Sequence, residues 1–235
     1  MQEIMRDRRW YSALNVIAHF HGDLKPQVID GRVLKKAEEM WAAAVMLVGM
    51  QEVEGRQYWM QPVSDAEGSP DVRTIRRMER TDGKAPHYTY QDVEVVTYTS
   101  ASVGENLPEF LLRTKLSPLK AYDALTTILV YAKQAVQSPP RAEWDAVLTS
   151  VSNIAPVMLI GRSHETEPIY TLMQVHPDRH PIIEFNLVEL LEKQKYTGVI
   201  QLSRGVKDST ETREGEDHCP FESLGIKCKD LKSGQ

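Results

Sequence analysis

The sequence predicts an α/β fold in which a mixed central β-sheet is flanked by helices on both faces. Segments with helical periodicity and segments rich in β-branched residues follow one another along the 235 residues in the order helix, strands, helix, helix, strands. The composition, 41% hydrophobic and 26% charged, is ordinary for a globular protein with one large core. We therefore expect a single domain over residues 1–205, followed by a polar, loosely ordered tail over residues 206–235.

Two helices are predicted in the N-terminal part of the chain. Residues 8–21 place Trp10, Leu14 and Ile17 at spacings of three and four, which is typical of a helix. A longer helix is predicted over residues 30–50, where one face carries the apolar residues Val33, Ala37, Met40, Trp41, Ala44, Val45 and Val48. On this helix Glu38 flanks the apolar face, and Glu39 should point nearly opposite to it.

The next segments have the pattern of strands. Residues 57–63, 71–79 and 87–99 are separated by turn-forming segments that contain Gly, Pro, Asp and Ser. Val93, Val95 and Val96 suit a strand that is buried on both faces. The hairpin over residues 71–99 should therefore lie at the centre of the sheet, with the long helix packed on one face.

The C-terminal half returns to mixed elements, after residues 100–117, which fit neither pattern. A helix is predicted over residues 121–136, because Leu125, Ile128, Leu129 and Ala132 have helical spacing, and another over residues 141–151. Residues 156–161 and 169–175 resemble short buried strands. Residues 181–195 are predicted as a strand that runs into a helix, and residues 199–203 as a last strand.

Charge and composition argue against several classes of protein. The net charge of −5 disfavours nonspecific coating of nucleic acid, which needs an excess of Lys and Arg. It leaves open an enzyme that confines basic residues to one face, for which Arg73, Arg76, Arg77 and Arg80 are candidates. No apolar run approaches the roughly 18 residues of a membrane span, and two cysteines do not make a disulfide framework. We expect a cytoplasmic protein without a membrane partner.

Three acidic positions form the candidate site. Asp71 follows Pro70 at the start of a strand, and Glu94 lies in the most strand-like stretch of the chain. Glu38, with Glu39 as the alternate, lies on the long helix. Asp71 and Glu94 on adjacent strands suit Mg²⁺ or Mn²⁺, which take hard oxygen ligands and promote phosphodiester hydrolysis. Without a metal the two carboxylates should repel each other, so one should have a raised pKa.

Each of these residues also has an ordinary structural interpretation. Asp71 would close a turn after Pro70, since both are common turn residues. Glu94 would lie on the solvated face of an edge strand. Glu38 and Glu39 would belong to a solvated helix face, where most glutamates lie.

The order of these elements resembles the PD-(D/E)XK nuclease superfamily over about residues 30–137. The family's pattern is a helix with a Glu, a Pro-Asp pair at a strand start, a hairpin into a Glu-x-Lys strand, and a following helix, and this chain has that pattern except for the lysine. The resemblance implies a restriction-endonuclease-like fold and a Mg²⁺- or Mn²⁺-dependent nuclease that acts on nucleic acid. It makes Asp71 the motif Asp, Glu94 the motif Glu and Glu38 the helix Glu.

The chain departs from this family at the motif lysine, where it has Val96. Some members move that lysine to another element, and Lys115, Lys120 and Lys133 are the candidates here. Other members have lost activity and keep the fold. The resemblance therefore implies either a nuclease with a displaced lysine or a non-enzymatic interaction or scaffold module.

Overall fold

The computed structural model describes residues 9–19, 32–63, 70–78, 82, 87–99, 106–116, 122, 125–133, 139–149, 155–163, 167–178, 180–193 and 199–201. The strands in this part are β1 (Arg9–Ser12), β2 (Tyr58–Pro62), β3 (Val72–Met78), β4 (His87–Tyr98), β5 (Thr126–Ala132), β6 (Val157–Arg162), β7 (Ile169–His176), β8 (His180–Asn186) and β9 (Val199–Gln201). The helices are α1 (Ala13–His19), α2 (Arg32–Glu54), α3 (Leu107–Thr114), α4 (Arg141–Leu148) and α5 (Leu187–Lys193). The tail predicted over residues 206–235 lies outside the described residues.

These strands form one mixed sheet in the order β8-β7-β6-β5-β4-β3-β2-β1-β9. The neighbours β4, β5 and β6 are parallel, and the other neighbouring strands are antiparallel. β4 is the middle strand of the nine. The prediction that the hairpin of β3 and β4 lies at the centre of the sheet is confirmed.

Helices cover both faces of this sheet. On one face, α1, α2 and α5 pack in a core that includes Val93, Val95 and Leu129. On the other face, α3 and α4 pack in a second core that includes Val96 and Ile128. Because side chains alternate along a strand, β4 and β5 contribute to both cores. The α/β class and the helices on both faces are confirmed.

The long helix α2 is confirmed, but it is buried around most of its circumference. Every residue over positions 36–49 is buried except Glu38, which is half-buried. Glu39 is only 2% exposed, so the prediction that it points away from the core is wrong. The reason is that α2 packs against both the sheet and α1, which leaves no broad solvated face.

Two segments predicted as helix contain strands. Residues 126–132 form β5 instead of a helix over residues 121–136. Every residue of β5 is buried between the two helical layers, so the segment lacks the polar alternation that marks a half-exposed strand. Within the helix predicted over residues 8–21, the part Arg9–Ser12 forms β1. The Ser12 Oγ then accepts a hydrogen bond from the Asn15 N–H at 3.1 Å, which starts α1.

The stretch that fitted neither pattern contains α3. Asn106 caps this helix by accepting a hydrogen bond from the Glu109 N–H at 2.9 Å, and Pro108 lies in its first turn. Lys115 is the C-cap residue. Within the described residues, the strands predicted over residues 57–63, 71–79, 87–99, 156–161, 169–175 and 199–203 are confirmed, as are α4 and the strand that runs into α5. Within the described ranges, no helix has the length and apolarity to cross a membrane.

Candidate active site

The candidate site lies where β3 begins beside β4. Val72 pairs with Val93, so Asp71 stands one residue before β3 and across from Glu94. The Asp71 backbone N–H donates to the Val93 carbonyl at 3.2 Å. Its side-chain Oδ2 accepts from the Val95 N–H at 2.8 Å. Asp71 is therefore hydrogen-bonded to the central strand β4 through both its backbone and its side chain. It does more than close the turn after Pro70.

Lys115 joins the two carboxylates of the strands. Its Nζ lies 2.6 Å from Glu94 Oε2 and 3.8 Å from Asp71 Oδ2. It is placed there by α3, whose C-cap N–H donates to the Leu111 carbonyl. The Glu94 side chain is 7% exposed, so it does not lie on a solvated edge. The sequence candidates Asp71, Glu94 and Lys115 thus meet in one cluster, in which Glu94 is buried and the other two are half-buried.

The helix α2 reaches the same cluster from the opposite face of the sheet. Lys36 Nζ donates to Asp71 Oδ1 at 2.7 Å and lies 3.1 Å from Glu39 Oε2. Glu39 Oε1 lies 3.3 Å from the exposed Lys35. Asp71 stands just before the first residue of β3, and there its two oxygens reach lysines from both helical layers.

Glu38 and Lys133 pair with each other and not with Asp71 or Glu94. Glu38 Oε1 lies 2.5 Å from the Nζ of Lys133, which directly follows β5. The helix carboxylate that reaches the surroundings of Asp71 is therefore the alternate, Glu39, and Glu38 pairs elsewhere. Lys120 lies outside the described residues.

The charges in this cluster shift several pKa values. Burial raises the pKa of Asp71, but the hydrogen bond from Lys36, the charge of Lys115 and the Val95 N–H together outweigh burial, so the net pKa is lowered. Burial and the charge of Asp71 raise the pKa of Glu39, although Lys36 opposes the rise. A raised pKa was expected at Asp71 or Glu94. Asp71 shows the opposite direction, because lysines offset the repulsion between the carboxylates.

Tyr122 lies close enough to the cluster to sense its charge. Burial raises its pKa to about 12, and the charges of Glu94 and Asp71 add to the shift. The pKa of Lys36 is also raised, because its bonds to Asp71 and its attraction to Glu39 outweigh the opposing effect of burial. Lys36 and Asp71 therefore remain charged at neutral pH.

No protein-family model, no characterised protein and no solved structure matches the chain. The chemistry of the cluster itself is what points to a function.

The donor set suits a hard divalent cation. Across the residues that the structure describes, no three His, Cys, Asp or Glu side chains form a close metal-binding group. Mg²⁺ is nevertheless often held by one or two carboxylates, with waters and phosphate oxygens completing its shell. Asp71 and Glu94 supply such a pair, and in this structure Lys36 and Lys115 each bond to one oxygen of the two carboxylates. Asp71 and Glu94 fit Mg²⁺ or Mn²⁺.

Sequence reasoning missed Lys36 as a member of the site. It lies one turn before Glu39 on α2, and both side chains are buried although both are charged. A signal was present in the sequence, since Lys36 and Glu39 have the spacing of a helical ion pair. The spacing does not reveal the third member, Asp71, because that contact depends on how α2 packs on the sheet.

Proposed function

We propose that the chain is a divalent-metal-dependent, nuclease-like protein that hydrolyses phosphodiester bonds, with Lys115 in place of the motif lysine. The main observation behind this proposal is that Asp71 and Glu94, on the central hairpin of the sheet, both approach the ammonium group of Lys115. The order α2, β3, β4, α3 around the site agrees with a restriction-endonuclease-like arrangement. In this proposal Glu39 takes the role of the helix carboxylate.

The side chains divide the work between binding and charge stabilisation. Asp71 and Glu94 would hold Mg²⁺ or Mn²⁺, which supplies a polarised phosphate and a water of lowered pKa. Lys115 is placed to orient the attacking water and to offset the negative charge that develops on the phosphate. Lys36 and the Val95 N–H keep the carboxylate of Asp71 ionised and fixed in direction.

The same contacts support a second candidate, a non-enzymatic interaction or scaffold module. Lys36 and Lys115 already neutralise most of the charge of Glu39, Asp71 and Glu94 without any metal. Such a network can hold α2, α3 and the central hairpin together as a purely structural feature. The two candidates differ in whether the site responds to a divalent cation.

The first test is a nuclease assay with Mg²⁺ or Mn²⁺ on DNA and RNA, each single-stranded and duplex. Asp71→Asn and Lys115→Met should each reduce cleavage by at least about 100-fold, since each removes charge that acts at the reacting phosphate. Lys193→Met is the matched control, because that exposed lysine pairs with Glu52 away from the site. Cleavage that survives Asp71→Asn would come from another site or a contaminant.

A second measurement separates an inactive site from the absence of a metal site. Mn²⁺ that binds only the folded protein should stabilise it by about 2.7 kcal/mol at a concentration of 100 Kd. That gain corresponds to a Tm rise of roughly 5–11 °C for a chain of this size. Asp71→Asn and Glu94→Gln should abolish the rise. A wild-type Tm that is insensitive to Mn²⁺, together with no cleavage, would leave the scaffold as the better description.

A further inference from the structure

The face of β4 that carries Glu94 extends away from the site along the same strand. Because side chains alternate along a strand, Tyr88, Tyr90 and Asp92 share that face with Glu94. Tyr90 is 41% exposed and is the one aromatic residue among the exposed large apolar side chains of the described part. From Glu94 to Tyr90 the strand rises about 13 Å, a distance that a few nucleotides can span.

The neighbouring strand β3 adds two arginines to this face. The register places Arg73 opposite Asp92 and Arg77 opposite Tyr88. Both arginines are half-buried, and with Tyr88 and Tyr90 they make up what we call the hairpin face. The third described arginine of β3, Arg76, points to the opposite face, where it pairs with Glu54 of α2.

Buried aromatic rings on the same face of the sheet pack beside the hairpin face. Trp10, Trp59 and Ile75 form a small buried cluster against which Tyr88 packs. The rings of Trp10 and Tyr90 meet edge-to-face at 6.4 Å, and those of Trp59 and Tyr88 at 6.3 Å. Tyr90 is therefore held in place by packing while much of its surface stays open, so a base that stacks on it finds a preorganised ring.

We propose that the hairpin face binds single-stranded nucleic acid and leads it to Asp71 and Glu94. An unpaired base would stack on Tyr90, and the adjacent phosphates would lie against the guanidinium groups of Arg73 and Arg77. This inference rests on the proposed nuclease function, and it names the form of the substrate.

The chemistry of the face favours a single strand over a duplex. A duplex keeps its bases stacked on one another and offers mainly phosphates to a flat surface, so Tyr90 would have no base face to contact. Single-stranded nucleic acid is bound by aromatic rings that stack on bases and by basic groups that follow the backbone. Because the whole chain carries a net charge of −5, binding depends on this local arrangement and not on overall attraction.

The test measures binding without cleavage, in EDTA, by the fluorescence anisotropy of labelled oligo(dT), oligo(U) and a duplex of equal length. Tyr90→Ala should weaken single-strand binding about tenfold, because one stacked base is lost. Tyr90→Phe keeps the ring and should bind like wild type. Tyr90→Leu keeps an apolar contact with Trp10 without a flat ring, so its loss of binding separates stacking from folding. The dT and U arms tell whether DNA or RNA is preferred.

The arginines have their own readout, the salt dependence of binding. Replacing both Arg73 and Arg77 with Gln should reduce the slope of log K against log salt by about 1.4 for a single strand. Arg141→Gln, which removes an exposed arginine on α4, should leave the slope unchanged. Duplex binding that is as tight as single-strand binding and equally sensitive to Tyr90 would overturn the proposal.

The binding experiment and the cleavage experiment test separate claims. Single-strand binding that is unchanged in Tyr90→Leu and in the double arginine variant overturns the hairpin face. If Asp71→Asn still abolishes cleavage in the same preparation, the nuclease site stands without it. If Asp71→Asn has no effect on cleavage while Tyr90→Leu weakens binding, the nuclease function fails and the hairpin face remains as a binding surface.

Discussion

Lys36→Met should destabilise the protein far more than the loss of an exposed lysine. The substitution keeps a long apolar side chain but removes an ammonium group that lies 2.7 Å from Asp71 Oδ1 and 3.1 Å from Glu39 Oε2. The side chains of Lys36, Asp71 and Glu39 are 11%, 14% and 3% exposed, so water compensates little for the loss. Two buried carboxylates would lose their shared cation.

The expected loss follows from the contacts that remain. Removing one partner of a buried ion pair costs about 3–5 kcal/mol, because the other charge is left uncompensated. Asp71 keeps the Val95 N–H and the more distant Lys115, and Glu39 keeps the exposed Lys35. We therefore expect the lower end, about 3 kcal/mol, which corresponds to a drop in Tm of roughly 6–12 °C.

Urea unfolding followed by circular dichroism at neutral pH measures this loss. Lys193→Met is the control, and because that ion pair is largely exposed its removal should cost at most about 1 kcal/mol. Adding Glu39→Gln to Lys36→Met should recover part of the stability, since one unpaired buried charge is removed. If Lys36→Met costs no more than Lys193→Met, the reasoning that Lys36 is the buried counter-charge is refuted.

Three further predictions concern pH and packing. Because the folded-state pKa of Asp71 is lowered, its stabilisation is present above its ordinary pKa of 3.8 and is lost as pH falls through the folded-state pKa. Asp71→Asn should therefore destabilise the metal-free protein at pH 7, and its unfolding free energy should approach that of wild type in strong acid. The folded-state pKa of Glu39 is raised above its ordinary value of 4.5, so ionising this carboxyl opposes folding as pH rises above 4.5. The unfolding free energy of Glu39→Gln should therefore increase relative to that of wild type between pH 4.5 and 7. Gly49→Ala should destabilise the protein by about 1–3 kcal/mol, because the new Cβ would lie 2.8 Å from Phe185 Cε1. Thermal melting measures this loss. A stabilised variant, as expected for Gly→Ala at an exposed helix position, would contradict this packing.

The sequence by itself determined the type and place of two kinds of element. These are elements with apolar side chains on one face and polar side chains on the other, and elements that end at turn-forming residues. The apolar periodicity of α2 and the valines of β4 are visible without any structure, and so is the turn before Asp71. These local patterns were enough to place the hairpin at the centre of a mixed sheet between helices. They also singled out Asp71 and Glu94, which the structure brings together at Lys115.

Periodicity misled where a segment is buried on every side. β5 lies between two helical layers, so every residue in it is buried, and its apolar residues from Ile128 onward do not alternate with polar ones and matched a helical spacing. On α2 the same enclosure reversed the expected roles of two adjacent residues, since Glu39 is buried and Glu38 turns to Lys133. A pattern that distinguishes an inner from an outer face carries no information when both faces are inside.

Only the tertiary structure decided which charges meet. Lys36 is 35 residues from Asp71 in the chain, and Lys115 is 21 residues from Glu94. These lysines approach one carboxylate cluster from helices on opposite faces of the sheet, and Asp71 can receive both because it lies just before β3 begins. Such contacts depend on the relative placement of packed elements and on side-chain direction, and neither is encoded in the spacing of residues along a single segment.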